Sequence, residues 1–288
     1  MNSSTMQRLL DACERDRSLH EPARLRQRIE MLDRLDDALL DAHDRAEDGQ
    51  VRCRAKAIYD GLDAINRRIY QQIRREIQQG RGADELLKWA SGGSASCDQQ
   101  SGQGYDYLDA LLSGVLAFEA PAEGIAALAP EMVFYQPTPA RHIFDAVRRL
   151  SLSGSDVLMD LGSGLGHVPL LAAICAKAYC VGIELETAYV ACARQCAQAL
   201  NLANASFIHQ DVRSADFSSG TVFYLYTPFI GMMLRSVLQR LAKEVAQRPI
   251  RLCTLGPCTS VVANETWLTP IGSVHVDRIS VFSSNYAA

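Results

Sequence analysis

Residues 22–47 carry apolar side chains at Leu25, Ile29, Leu32, Leu35, Leu39 and Ala42, a spacing of three and four that predicts a helix. Residues 51–79 repeat the pattern at Val51, Ala55, Ile58, Leu62, Ile65, Ile69, Ile73 and Ile77. Asp48-Gly49-Gln50 interrupts the two runs, so they are expected to fold back as an antiparallel hairpin. Their remaining positions are dense in Arg, Asp and Glu. They read as a solvated face, or as an interface with a partner or second copy, because a lone hairpin cannot cover both sides of its stripe. Residues 91–104 contain no large apolar residue and read as a flexible linker. Residues 105–118 suggest a short helix, and Pro121, Pro130, Pro137 and Pro139 then break the chain into turns.

From residue 139 the pattern alternates. Predicted helices at 139–150, 167–178, 187–201 and 229–246 interleave with predicted strands at 156–161, 180–185, 205–210, 221–226 and 250–255. Alternation with short links implies a doubly wound, mostly parallel, Rossmann-like α/β sheet with helices on both faces. Two last strands, 265–270 and 275–283, are expected to form a terminal antiparallel hairpin. The division expected is therefore a helical hairpin region at 1–90, a linker at 91–104 and an α/β domain at 105–288 whose segment 105–138 serves as a lid.

Composition narrows the function classes. Of the 288 residues, 48% are hydrophobic and 22% charged, and the formal net charge is −4, without the basic excess of a nucleic-acid binder. No apolar run approaches the roughly 20 residues that span a bilayer, so no membrane partner is expected. The polar start Met1-Asn-Ser-Ser-Thr5 does not resemble a secretory signal, and a cytoplasmic protein is expected. The nine cysteines include no Cys-x-x-Cys pair, and no histidine stands near Cys192 and Cys196, so they read as small buried residues and no metal is expected.

The chemistry concentrates at strand ends. Asp160-Leu161-Gly162-Ser163-Gly164-Leu165-Gly166 follows the apolar strand Val157-Leu158-Met159 and opens a helix. Ligands of such sheets bind beyond the carboxyl ends of the strands. Glycines let the backbone turn sharply there, and the free N–H groups of the helix start suit an anionic group. A dinucleotide fingerprint would read Gly-x-Gly-x-x-Gly; this turn reads Gly-x-Gly-x-Gly with an acid two residues ahead. Glu184 ends the second strand, where a carboxylate can accept ribose hydroxyls, and Asp211 ends the third. An acid at the position of Glu184 also fits a dehydrogenase, so it supports a ribose-bearing cofactor without choosing one. Each acid alone could equally be a helix cap.

The acid-led glycine turn resembles motif I of the class I S-adenosylmethionine (SAM)-dependent methyltransferases. Within them, the chain resembles the non-SET histone-lysine methyltransferases of the disruptor-of-telomeric-silencing type over roughly residues 133–230, through Phe134-Tyr135-Gln136-Pro137-Thr138-Pro139, the glycine turn and Gly182-Ile183-Glu184. The resemblance implies SAM as cofactor. It implies a cofactor site of Tyr135, Thr138, Asp160, Gly162, Ser163, Gly164, Gly166, Glu184 and Asp211, with Asp211 accepting from the adenine amino group. It also implies that the end of the fourth strand, Tyr226-Thr227-Pro228-Phe229, faces the transferring methyl group, so these four residues are the catalytic candidates. Tyr226-Thr227 stand in place of that family's paired asparagines, and His167 in place of its glutamine. The expected activity is methyl transfer to an unidentified acceptor, with a lean towards a protein side-chain amine. The alternatives are a small-molecule O- or N-methyltransferase, or a SAM-binding regulatory or scaffold protein without catalysis. His142, His167, His209 and His275 are weaker base candidates, and Gly256-Pro257-Cys258 is a turn or a pocket wall.

Overall fold

A computed structural model describes residues 3–43, 49–91, 105–119 and 130–286. The segment read as a linker, residue 91 apart, lies outside them. Four helices come first: α1 (Ser3–Arg15), α2 (Leu25–His43), α3 (Gly49–Gln78) and α4 (Gly82–Ser91). Helix α5 (Tyr107–Leu116) and α6 (Ala140–Leu150) lead into β1 (Val157–Leu161), α7 (His167–Cys175), β2 (Tyr179–Glu184), α8 (Thr187–Ala199) and β3 (Ala205–His209). Then follow β4 (Val222–Tyr226), α9 (Gly231–Val245), β5 (Arg251–Leu255), α10 (Cys258–Val262), β6 (Leu268–Ile271) and β7 (Ser280–Ser284).

The strands form one seven-stranded sheet in the order β3-β2-β1-β4-β5-β7-β6. Strands β1 to β5 are parallel, and β7 and β6 close the edge antiparallel. The doubly wound fold with a terminal hairpin is thus the observed one. Its strands are apolar runs because both faces are covered. Leu158, Cys180, Val222, Tyr224 and Cys253 point to the layer of α5, α6, α7 and α8. Met159, Val181, Phe223 and Leu252 point to the layer of α9 and α10. The strand order reverses beside β1, between β2 and β4, and the site sits at that switch point.

Helices α2 and α3 pair antiparallel. The clamp is Arg28, a buried guanidinium that donates to Asn66 (2.6 Å) and to the carbonyls of Leu19 (2.8 Å), Glu21 (2.6 Å) and Pro22 (3.3 Å). Buried charge is tolerated when its donors are filled in this way. The apolar stripe of the hairpin is covered within the chain: α1 packs Met6, Leu9, Leu10 and Cys13 on one end, against Leu35, Ala55 and Leu62. At the other end Ile73, Ile77 and Leu86 join the same core as α5, α6 and α7. Helix α4, which the apolar periodicity does not predict, seats Gly82 against Ile77 and Ile174. The core therefore runs continuously from the helical region into the α/β layer. Helix α5 of the segment read as a lid is buried in that core through Leu108, Leu111, Leu112 and Val115. Among the described residues no helix is long and apolar enough to cross a membrane, and the eight described cysteines are all free thiols.

Candidate active site

Parallel pairing sets Asp160 of β1 between Gly182 of β2 and Tyr224 of β4. The Asp160 carboxyl is buried, and among the described residues no donor bonds to it. Burial, and after it the neighbouring Glu184 carboxylate, pushes it well above the usual carboxylate range. It is an acid in want of a cationic or donor partner.

The glycine turn is held by the strand beside it. Gly162 and Ser163 both donate to the Ile183 carbonyl, at 2.9 and 3.1 Å. Gly164 donates to Glu184 Oε2 at 2.8 Å. Gly162, Gly164 and Gly166 all hold φ between 52° and 87°, the left-handed region. At Gly164 a Cβ would also overlap the Tyr135 ring, which lies directly on the turn. Ser163 Oγ is buried with no partner, against Gly182.

Glu184 is already well used. Besides Gly164, it accepts from the backbone N–H of Leu185 (2.7 Å) and of Glu186 (2.8 Å), leaving about one lone-pair position of the four a carboxylate offers. Asp211 is held by its own neighbour: it accepts from Arg213 N (2.8 Å) and from Arg213 Nη2 (2.6 Å), which keeps its carboxyl below the usual range.

Tyr135 stacks at 4.9 Å on Tyr189 of α8 and shares a 3.2 Å hydrogen bond with His167 Nδ1. Burial pulls the His167 imidazole down to about 4, so it is neutral at physiological pH. Thr138 shares a 3.2 Å hydrogen bond with the buried Tyr224 hydroxyl. The register of this segment is set by Asp109, which accepts from Ala140 N at 2.7 Å and so ties the start of α6 to α5.

The four residues at the end of β4 divide by role. Tyr226 borders the cavity, and its hydroxyl is buried without a partner. Thr227 adopts φ 40°, and its hydroxyl donates to Leu255 O (3.2 Å) and accepts from Cys258 N (3.0 Å), a tie to the turn after β5. Pro228 packs on Gly162. Phe229 is buried in the core on the α9 side and bridges to Met132.

All thirteen predicted positions lie around the sheet's carboxyl end, and all but Gly164 and Gly166 line one cavity of about 770 Å³. That is within the range of small-ligand sites. Pattern reasoning had not singled out Tyr189, Ile230, Met233 and Gln210, which also line it. Tyr189 is one turn into the helix that follows Glu184; the other three have no signal in the sequence. The donor set fits SAM: an ammonium, a ribose diol and an adenine amino group can meet three strand-end carboxylates in one cavity.

Residues 132–223 match the family described as histone methylation protein DOT1, about a third of the chain. Among solved structures, the chain is similar to an RNA methyltransferase from Salinibacter ruber in complex with S-adenosyl-L-homocysteine, with 25% identity, TM-score 0.43, 52% of this chain and 94% of that one covered. It is also similar to a SAM-dependent methyltransferase from Thiobacillus denitrificans in complex with S-adenosyl-L-homocysteine, with 20% identity, TM-score 0.37, 42% of this chain and 50% of that one. No curated protein matches the chain. The switch-point cavity, the acid-led glycine turn beneath it and the match over 132–223 together make this chain similar to the class I SAM-dependent methyltransferases and, in that stretch, to the DOT1 histone methylation proteins.

Proposed function

We propose that the chain transfers a methyl group from SAM to a nucleophile presented at the Tyr226 end of the cavity. The observation that carries this is the trio Asp160, Glu184 and Asp211 at the ends of three adjacent strands around one cavity. Asp160 is assigned to the methionine amino group, the remaining acceptor position of Glu184 to a ribose hydroxyl, and Asp211 to the adenine amino group. Tyr135, Thr138, Gly162 and Ser163 form the walls. SAM supplies a methyl group on a sulfonium that is already a good leaving group, so the protein's work is to position and desolvate.

For the acceptor, a small molecule is favoured by the uncharged β4 end of the cavity. A protein side-chain amine is favoured by the match to histone methylation protein DOT1. Calorimetry with SAM, S-adenosylhomocysteine and NAD tests the cofactor: micromolar binding of the first two and none of NAD is expected, and the reverse pattern overturns the assignment. Radiolabelled methyl transfer into separated protein and metabolite fractions of a lysate then decides between the acceptors, and no transfer to either returns the chain to a SAM-binding scaffold.

A further inference from the structure

Segment 134–139 walls the cavity through Tyr135 and Thr138, yet it belongs to no strand or helix. Among the described residues, no backbone group of 134–138 bonds to another backbone group. Pro137 and Pro139 have no N–H to offer, and Pro139, the N-cap of α6, closes that helix start with no side-chain bond. The backbone is met instead from the head of α5. Tyr105 Oη donates to the Pro137 carbonyl at 2.9 Å, and Asp109 Oδ1 accepts from Ala140 N, at the start of α6, at 2.7 Å. Asp109 Oδ2 also accepts from Asp106 N at 2.6 Å, so one carboxylate serves the starts of both α5 and α6.

Neither Tyr105 nor Asp109 lines the cofactor cavity. What they anchor does. The Tyr135 ring lies on Gly164, and Thr138 meets the hydroxyl of Tyr224, the register partner of Asp160. Both therefore stand at the end assigned above to the methionine part of SAM, away from Asp211. The connection between anchor and wall is stiff. Pro137 and Pro139 have fixed φ, and Gln136 and Thr138, each preceding a proline, are restricted as well. Four consecutive residues of this kind pass on a displacement of their anchor instead of absorbing it. We propose that Tyr105 and Asp109 are positioning residues for the cofactor: by holding the backbone at 137 and 140 they set Tyr135 and Thr138 against its methionine end. This rests on the methyltransferase reading above and deepens it.

The test uses the full chain, with calorimetry on two ligands: S-adenosylhomocysteine, and 5′-methylthioadenosine, which keeps the nucleoside and the thioether and lacks the amino-acid end. Tyr105 is 49% exposed, so Tyr105→Phe removes one hydroxyl and leaves the core intact. It should weaken S-adenosylhomocysteine about two- to tenfold, the loss of one neutral hydrogen bond, with the ligand-free melting temperature unchanged. Asp109→Ala removes two bonds to a carboxylate and should weaken it at least about tenfold, and Asp109→Asn, which keeps one acceptor oxygen, should fall between. Methylthioadenosine should lose less than about twofold in all three variants. Where Asp109→Ala fails to fold, Tyr105→Phe decides alone. Wild-type affinity for S-adenosylhomocysteine in Tyr105→Phe overturns the proposal, as does equal weakening of the two ligands, which is the mark of a loosened fold and not of a displaced wall. Failure of S-adenosylhomocysteine to bind the wild type removes the underlying methyltransferase reading instead.

Discussion

Replacing Asp160 by asparagine separates what this carboxylate does for the cofactor from what it costs the fold. The side chain is 4% exposed, lies beside the Glu184 carboxylate and receives no donor among the described residues. Its folded-state pKa is therefore raised, by burial first and by Glu184 second. An acid raised in the folded state adds stability that is fully present below its unfolded value, near 3.9, and lost as pH rises through the folded value. As pH rises above the unfolded value the ligand-free protein loses that contribution, and Asp160→Asn, of nearly the same shape, removes the penalty of charging a buried carboxyl. The ligand-free melting temperature of the variant should exceed that of the wild type at pH 7, and the difference should shrink towards pH 4. SAM binding should move the other way. A hydrogen bond to a charged group is worth about 1.5–3 kcal/mol, so the dissociation constant should rise about 10- to 150-fold. Calorimetry with SAM and melting curves at pH 4 to 8 read both effects. An asparagine variant that binds SAM like the wild type, or that is less stable at every pH, would refute the reasoning.

Four further outcomes follow from other parts of the site. His167→Gln should flatten the pH dependence of melting between about 6.5 and 4, because a histidine pulled down to about 4 gives stability that is present above its unfolded value and lost as pH falls; an unchanged slope in the variant contradicts a buried neutral imidazole. Gly164→Ala, at φ 52° and against Tyr135, should abolish measurable SAM binding in calorimetry while the far-ultraviolet circular dichroism stays native. Thr227→Val removes two hydrogen bonds to the β5 turn and leaves Cys258 N unpaired, so urea unfolding should show a loss of about 1–3 kcal/mol, with SAM affinity kept. Deleting residues 1–104 strips Ile73, Ile77 and Leu86 from the core shared with α5 and α7, and the fragment should aggregate on expression; a soluble, SAM-binding fragment would show that the α/β domain closes its core without them.

The sequence determined the features whose causes are local. A short apolar run bounded by turn signals is consistent with a strand covered on both faces, and Val157, Leu158 and Met159 lie in β1 on that ground. Three glycines in seven residues announce a turn in left-handed backbone, and all three have positive φ. Acids at successive strand ends follow from where strands stop, so Asp160, Glu184 and Asp211 could be placed at one end of the sheet from the pattern, while the resemblance supplied the cofactor. What escaped depended on partners distant in the chain. Helix α4 is short, and its anchor Leu86 has meaning only against the core that α3 and α7 bring to it. Thr227 and Phe229 were candidates on the same footing as Tyr226, yet one is bonded to Leu255 and Cys258 and the other is buried under α9, while Tyr226 borders the cavity. The hairpin stripe that called for an outside partner met α1 and α5 instead. Glu184 was placed correctly at its strand end, but three backbone N–H groups claim most of it. Periodicity and φ preference are properties of a few consecutive residues, whereas the partner of a hydroxyl, a carboxylate or an apolar face is chosen only when remote segments meet.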